Sequence, residues 1–165
     1  MGQLTLIALW AMALLAGCGG EVESPASSVP AQSPQVETKQ ETEQKELAEM
    51  KMNVQIGEKT FTATLEDNRA VEELVAMMEE GPVTLYLDDY SGFEKVGPLG
   101  RSLTTSNSQT TTTAGDIVLY NGNNIVMFYG SNSWSYTRLA KIDDLTGWAD
   151  ALGHGSVTVT LTLAK

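Results

Sequence analysis

The sequence is poor in the residue types that most often build reactive centres. It contains one cysteine, Cys18, and one histidine, His154, among 165 residues. A single cysteine excludes an internal disulfide. A single histidine excludes a multi-histidine metal site, so carboxylates would have to supply most ligands of any bound cation. Basic residues are scarce as well: 10 Lys and Arg stand against 21 Asp and Glu, for a formal net charge of −11. Such a chain has no general attraction for phosphate backbones, and it shows no local basic patch, so nucleic acid is not an expected partner. The length favours one folded domain with a tail.

The most apolar stretch, Leu4–Leu15, stops at twelve residues. That is short of the roughly 20 needed to cross a hydrocarbon core. Its length and its small-residue end fit the hydrophobic part of an export signal. Leu15-Ala16-Gly17-Cys18, directly after it, resembles the lipobox of bacterial lipoproteins. The resemblance implies cleavage before Cys18, acylation of that residue and a lipid-anchored, extracytoplasmic place in a bacterial cell envelope. One feature departs from the pattern, because no Lys or Arg lies between Met1 and Leu4, where export signals normally carry positive charge. Gly19 is not the aspartate associated with inner-membrane retention in some bacteria, so an outer-membrane site is compatible in a cell with two membranes.

From Gly19 to about Ala48, Pro25, Pro30 and Pro34 punctuate a Ser, Gln and Glu-rich run almost without large apolar residues. Such a segment cannot bury enough apolar surface to offset its chain entropy. It reads as a tether of about 30 Å end to end, stretched further by charge and proline. The expected organisation is a signal peptide over 1–17, a lipidated cysteine and disordered linker over 18–49, and a folded domain over 50–165.

Within that domain, apolar residues alternate with polar ones. Met52, Val54 and Ile56, then Phe61, Ala63 and Leu65, read as two half-buried strands joined near Gly57. Asp67 or Asn68 can cap a helix whose Val71, Leu74, Val75 and Met78 recur at helical spacing, and Gly81-Pro82 stops it. Val83 to Leu87 is a third strand, followed by a long excursion rich in Gly, Ser and Thr. Asp116–Tyr120 and Ile125–Tyr129 are apolar runs around Asn121-Gly122, a pair suited to a tight hairpin turn, and both faces of that hairpin should be covered. A strand over Trp134–Ile142 precedes a short helix around Leu145, Trp148, Ala149 and Leu152, begun by Asp143 or Asp144. Val157, Val159, Leu161 and Leu163 make the last strand. Period-two segments dominate and helices do not alternate with them, which predicts a mainly β fold, a closed antiparallel β-barrel with two short helices.

Three blocks carry a family resemblance: Gly92-Phe93-Glu94-Lys95-Val96-Gly97-Pro98-Leu99-Gly100, then Gly115–Tyr120, then Phe128-Tyr129-Gly130-Ser131-Asn132-Ser133-Trp134-Ser135-Tyr136-Thr137-Arg138-Leu139. They are similar to the small bacterial cyclophilin-like domain family, over Met50 to Leu163. The resemblance implies an antiparallel barrel related in fold to cyclophilins. Some relatives are joined to flavodoxin-like domains, which implies an accessory role to a flavodoxin-like electron-transfer partner as one alternative. Prolyl isomerase is the other alternative and the one enzyme class the resemblance raises. Fold alone does not license it. The Phe-His-Arg and Gln-Gly-Gly-Asp stretches of true cyclophilins do not occur here, and Arg101, just after the Gly-Pro-Leu-Gly turn, is the nearest substitute for a catalytic arginine.

The strongest functional cue is aromatic crowding. Tyr90, Phe93, Tyr120, Phe128, Tyr129, Trp134 and Tyr136 fall within one short part of the domain. On their strand, Trp134, Tyr136 and Arg138 share a face by period two. A guanidinium beside rings can stack on them while binding a carboxylate or carbonyl. Tyr90, Glu94, Lys95, Arg101, Trp134, Tyr136 and Arg138 are therefore the candidate binding residues, for a peptide segment or a small molecule. The competing reading has the rings filling the barrel and Arg138 pairing with a local carboxylate.

His154, between two glycines, reads as a helix-end or solvent-facing residue more than a base. Asp88-Asp89 and Asp143-Asp144 lack calcium-loop spacing, and no metal or cofactor is expected. Ser102–Thr113, with nine Ser or Thr in twelve positions, reads as a flexible surface loop without an apolar anchor, or as a lid.

Overall fold

The computed structural model describes residues 50–165. The export signal, Cys18 and the tether lie outside the described residues. The nine strands are β1 (Lys51–Ile56), β2 (Lys59–Leu65), β3 (Val83–Tyr90), β4 (Glu94–Pro98), β5 (Ser108–Thr111), β6 (Asp116–Tyr120), β7 (Asn124–Phe128), β8 (Ser133–Ile142) and β9 (Val157–Leu163). Helix α1 is Arg69–Glu80 and helix α2 is Trp148–Leu152.

Eight strands run in the order β2-β1-β9-β3-β4-β7-β6-β8, and β8 pairs back onto β2 to close an antiparallel barrel. The closing register sets Ala63 opposite Ile142 and Leu65 opposite Ala140. Alternation then sends Met52, Val54, Leu85, Leu87, Ile117, Leu119, Ile125, Met127, Val159 and Leu161 to one buried interior. The expectation of a mainly β closed barrel with two short helices describes this architecture.

Helix α1 follows from its cap and its stripe. The Asn68 side chain accepts from the Val71 amide, and Val71, Leu74, Val75 and Met78 are buried along with Ala70. Asn68 also donates to the Arg138 carbonyl at 2.8 Å. That carbonyl lies on β8 between the stretch paired to β5 and the stretch paired to β2, so the cap also fastens the helix to the barrel wall.

Helix α2 departs from expectation at its start. Gly147, in the left-handed region, occupies the cap position without a side-chain bond. Asp144 instead accepts from the Thr146 amide, and Asp143 accepts from Lys51 and Thr64. The aspartates are spent on a turn and on β1–β2, and Trp148 edge-on to Phe61 anchors the helix.

The expected loop over Ser102–Thr113 is partly strand and is well anchored. Leu103 is buried in the main core, which corrects the expectation of no apolar anchor. Its amide donates to the Gly122 carbonyl, and β5 pairs with the N-terminal half of β8. Strand β4 likewise lies inside the stretch expected to be irregular. Its Gly97-Pro98 reads as a turn, yet Pro98 ends the strand, where its missing N–H costs least. Gly97 faces inward so closely that a Cβ would stand 2.2 Å from the Tyr86 carbonyl oxygen.

The hairpin β6–β7 is buried on both faces, as its composition predicts. Ile117, Leu119, Ile125 and Met127 face the barrel interior. Val118, Val126 and Phe128 face the other way and form a second apolar cluster with Tyr136, flanked by Phe93, Val96 and Tyr120. The candidate site lies on this outer face.

Candidate functional site

Register builds the floor of the site. Val96 of β4 stands opposite Val126 of β7, which stands opposite Val118 of β6. One row further along, Glu94 stands opposite Phe128. The period-two geometry therefore places Glu94 and Val96 of β4 on the same outer face as the second apolar cluster. Strand β8 carries Trp134 and Tyr136 over that face. Tyr136 is buried and packs edge-on to Phe128 and Tyr120, with ring centroids 5.8 and 6.1 Å away.

A cavity of about 350 Å³ remains between these layers. Val96 and Val126 line it below, Tyr120 and Tyr136 on one side, and Tyr90, Trp134, Asn132 and Glu94 complete the wall. Tyr90 and Trp134 are 56% and 54% exposed, so rings frame an opening as well as a floor. Tyr90 is held edge-on to Phe93. Phe93 in turn lies against Gly130, where a Cβ would sit 2.6 Å from the Phe93 Cβ. The Asn132 amide donates to the Tyr136 hydroxyl at 3.1 Å and its oxygen accepts from the Ser133 amide, which fixes the orientation of both side chains.

Glu94 is the unusual member. It is only 7% exposed, and its Oε2 is buried with no hydrogen-bond partner. Burial pushes its carboxyl up to about 7, because an apolar surrounding disfavours the charged form. The same burial, with the nearby charge of Glu94, raises the Tyr136 hydroxyl above its ordinary value.

The adjacent Lys95 points to the opposite side of β4. It is fully buried, donates to Asp89 Oδ1 at 2.8 Å and to the Gly155 carbonyl at 2.7 Å, and lies 5.4 Å from the centre of the Tyr129 ring. The Tyr129 hydroxyl also donates to Asp89. Lys95, then Tyr129, hold the Asp89 carboxyl below the usual carboxylate range. Burial and the bond to Asp89 push Tyr129 up to about 12. This is a closed structural triad with every charge answered.

Of the sequence candidates, Tyr90, Glu94, Trp134 and Tyr136 come together around the cavity. Lys95, Arg101 and Arg138 do not line it. Arg101 is exposed beside Glu80, 3.4 Å away. Arg138 stays on the outer face opposite Val118, but its guanidinium sits 3.7 Å from both Asp116 and Glu66. Asp116, in turn, is buried against Lys141 at 2.8 Å. The two readings of the aromatic strand thus divide: the rings frame a cavity, and Arg138 pairs with local carboxylates. Val96, Tyr120, Val126 and Asn132 are the lining residues absent from the candidates. The doubly buried hairpin is the signal that points to Val126, since an apolar outer face needs a cover. His154 is exposed. Among the described residues, no group of three or more His, Cys, Asp or Glu side chains is placed to hold a metal ion.

A cyclophilin-like family model matches residues 54–162. The chain belongs to the cyclophilin-like family. The solution structure of the hypothetical protein AF2241 from Archaeoglobus fulgidus is similar to this one with a TM-score of 0.52 and 14% sequence identity, over 71% of this chain and 96% of that one. At that identity the likeness concerns the fold alone. No curated protein matches the chain.

Proposed function

We propose that this cyclophilin-like domain is a binding module that takes a small ligand, or one side chain of a peptide segment, into the cavity over the β4–β7–β6 face. The observation supporting this is Glu94, a buried carboxyl left unpaired in an aromatic-walled space. Glu94 is part of the cavity wall, and a guest carrying a donor that pairs with its carboxyl would do so in a largely water-excluded setting, where such a bond is worth more than in water. The cavity's volume also falls in the range of roughly 300–1,000 Å³ usual for ligand sites. The prolyl isomerase alternative has less to stand on, since no arginine lines the cavity to donate to a twisted imide.

Titrating the protein with fragments and short peptides while recording amide and indole NMR resonances tests the reading. Binding is expected to move the Trp134 indole and the Glu94 and Asn132 amides, and Trp134→Ala should weaken it roughly tenfold, as loss of an aromatic anchor does. Ligands that bind Trp134→Ala unchanged and leave those resonances still would contradict it.

We further propose that a lipid on Cys18 holds the module at an envelope membrane, on the strength of the lipobox and the proline-punctuated tether. Among the described residues no helix is long and apolar enough to cross a membrane, so anchoring would fall to the N-terminal segment. Labelled palmitate should enter the wild-type protein and not Cys18→Ser; label that survives the substitution would remove the assignment.

A further inference from the structure

We propose that the group recognised in the cavity is a protonated primary or secondary amine, its charge set among the aromatic rings and an N–H directed to Glu94. The inference rests on the binding reading above and names the chemistry of the guest. Half of the lining side chains, Tyr90, Tyr120, Trp134 and Tyr136, are aromatic, and the one carboxylate among them is Glu94. Ring faces carry negative potential, so they attract a cation, and more strongly where water is excluded.

Other guests match the wall less well. An anion would meet Glu94 with no answering cation, because Lys95 is committed on the far side of β4 to Asp89 and Gly155 and Arg138 turns to Asp116 and Glu66. Asn132 offers little in compensation, since it is neutral and one of its two amide N–H groups already donates to Tyr136. A purely apolar guest would offer no donor to the Glu94 carboxyl in the cavity wall. A quaternary ammonium would satisfy the rings but has no N–H to give. The chain's charge of −11 works in the same direction, raising the local concentration of cations. Burial that holds the empty Glu94 carboxyl near 7 is the counterpart of this geometry: an arriving cation would restore the charged form.

An ammonium head can come from a free amine or from a lysine side chain, and the experiment separates the two. n-Butylammonium, Nα-acetyl-lysine amide, the neutral isostere 1-butanol and the anion pentanoate are titrated separately at pH 8 into the wild-type protein and into Glu94→Gln. The Trp134 indole resonance reports occupancy. The ammonium probes are expected to bind at least tenfold tighter than the alcohol or the anion, and Glu94→Gln should remove most of that preference while leaving the spectrum of a folded domain. A free-amine guest favours n-butylammonium, and a peptide guest favours the lysine derivative. If the alcohol or the anion moves the same resonance with equal affinity, the cavity binds guests but the ammonium inference is wrong. If none of the four probes moves it at millimolar concentration, the inference fails together with the binding reading on which it rests.

Discussion

At the scale of single residues, the neighbours Glu94 and Lys95 show how strand geometry divides roles. Sequence proximity groups them as joint polar contacts of one site. Alternation sends Glu94 outward to the cavity and buries Lys95 against Asp89 on the other side. The period-two rule that separates Asp88 from Asp89 separates this pair as well. It was not legible here because β4 itself was hidden by Gly97-Pro98. Asp88 and Asp89 make a matched test of the triad. Asp88 accepts from exposed Ser156, whereas Asp89 answers a fully buried ammonium. In urea melts, Asp89→Ala, which strands the buried Lys95 ammonium, is expected to lower the unfolding midpoint clearly. Asp88→Ala should cost less than about 1 kcal/mol. Equal costs would contradict the triad.

The same scale carries a pH dependence. A carboxyl whose folded value of about 7 lies above its unfolded one holds its proton more tightly in the fold. Its contribution to stability is therefore full below the ordinary carboxylate range and is lost as pH rises through 7. Asp89, held low by Lys95 and Tyr129, works oppositely, contributing above the ordinary range and losing its contribution as pH falls. Comparing Glu94→Gln with wild type isolates the first effect. The variant should be more stable by about 1–3 kcal/mol at pH 8, with the gap closing toward pH 5. A constant gap across that range would contradict a buried, proton-retaining Glu94.

At the scale of elements, what could be read from the sequence follows the strength of local patterning. Strands β1, β2 and β9 alternate cleanly, α1 has both a cap and a stripe, and Asn121-Gly122 does adopt positive φ at both residues. Strand β5 could not be read this way. It is Ser, Gln and Thr, and it exists because the N-terminal half of β8 offers a free edge, a tertiary cause with no local signature. The irregularity between Ile117 and Val118, opposite Leu139, is equally invisible. It shifts the pleat of β8 so that Leu139 and Ala140 are both buried, which a strict alternation forbids. Leu103 ties the Thr-rich segment to the core, so Leu103→Ala is expected to cost about 2–4 kcal/mol in a melt. It should also raise amide exchange across β5. Exchange already fast in the wild type would contradict an anchored segment. Asn68→Ala removes both a cap and the tie to Arg138, and about 1–2 kcal/mol should go with it.

At the scale of the whole molecule, the barrel keeps two apolar clusters apart. The interior is filled mostly by aliphatic residues, with Phe61 and Trp148 at one part of it, and the outer cluster on β4–β7–β6 is covered only in part, by Tyr136 on one side and an exposed Trp134 at the rim. The aromatic crowding in the sequence marks this second cluster. Its partition between packing and opening is a property of the closed barrel, since it depends on β8, paired with β6 and β5, bringing Trp134 and Tyr136 to the same space as side chains of β4 and β7. The account as a whole requires that Glu94 be both sheltered from water and unanswered by any other side chain. Titration of its side-chain carboxyl by carbon-detected NMR, assigned through Glu94→Gln, tests this most directly. The account predicts a midpoint of about 7; a midpoint near 4.3, where exposed glutamates titrate, would contradict it.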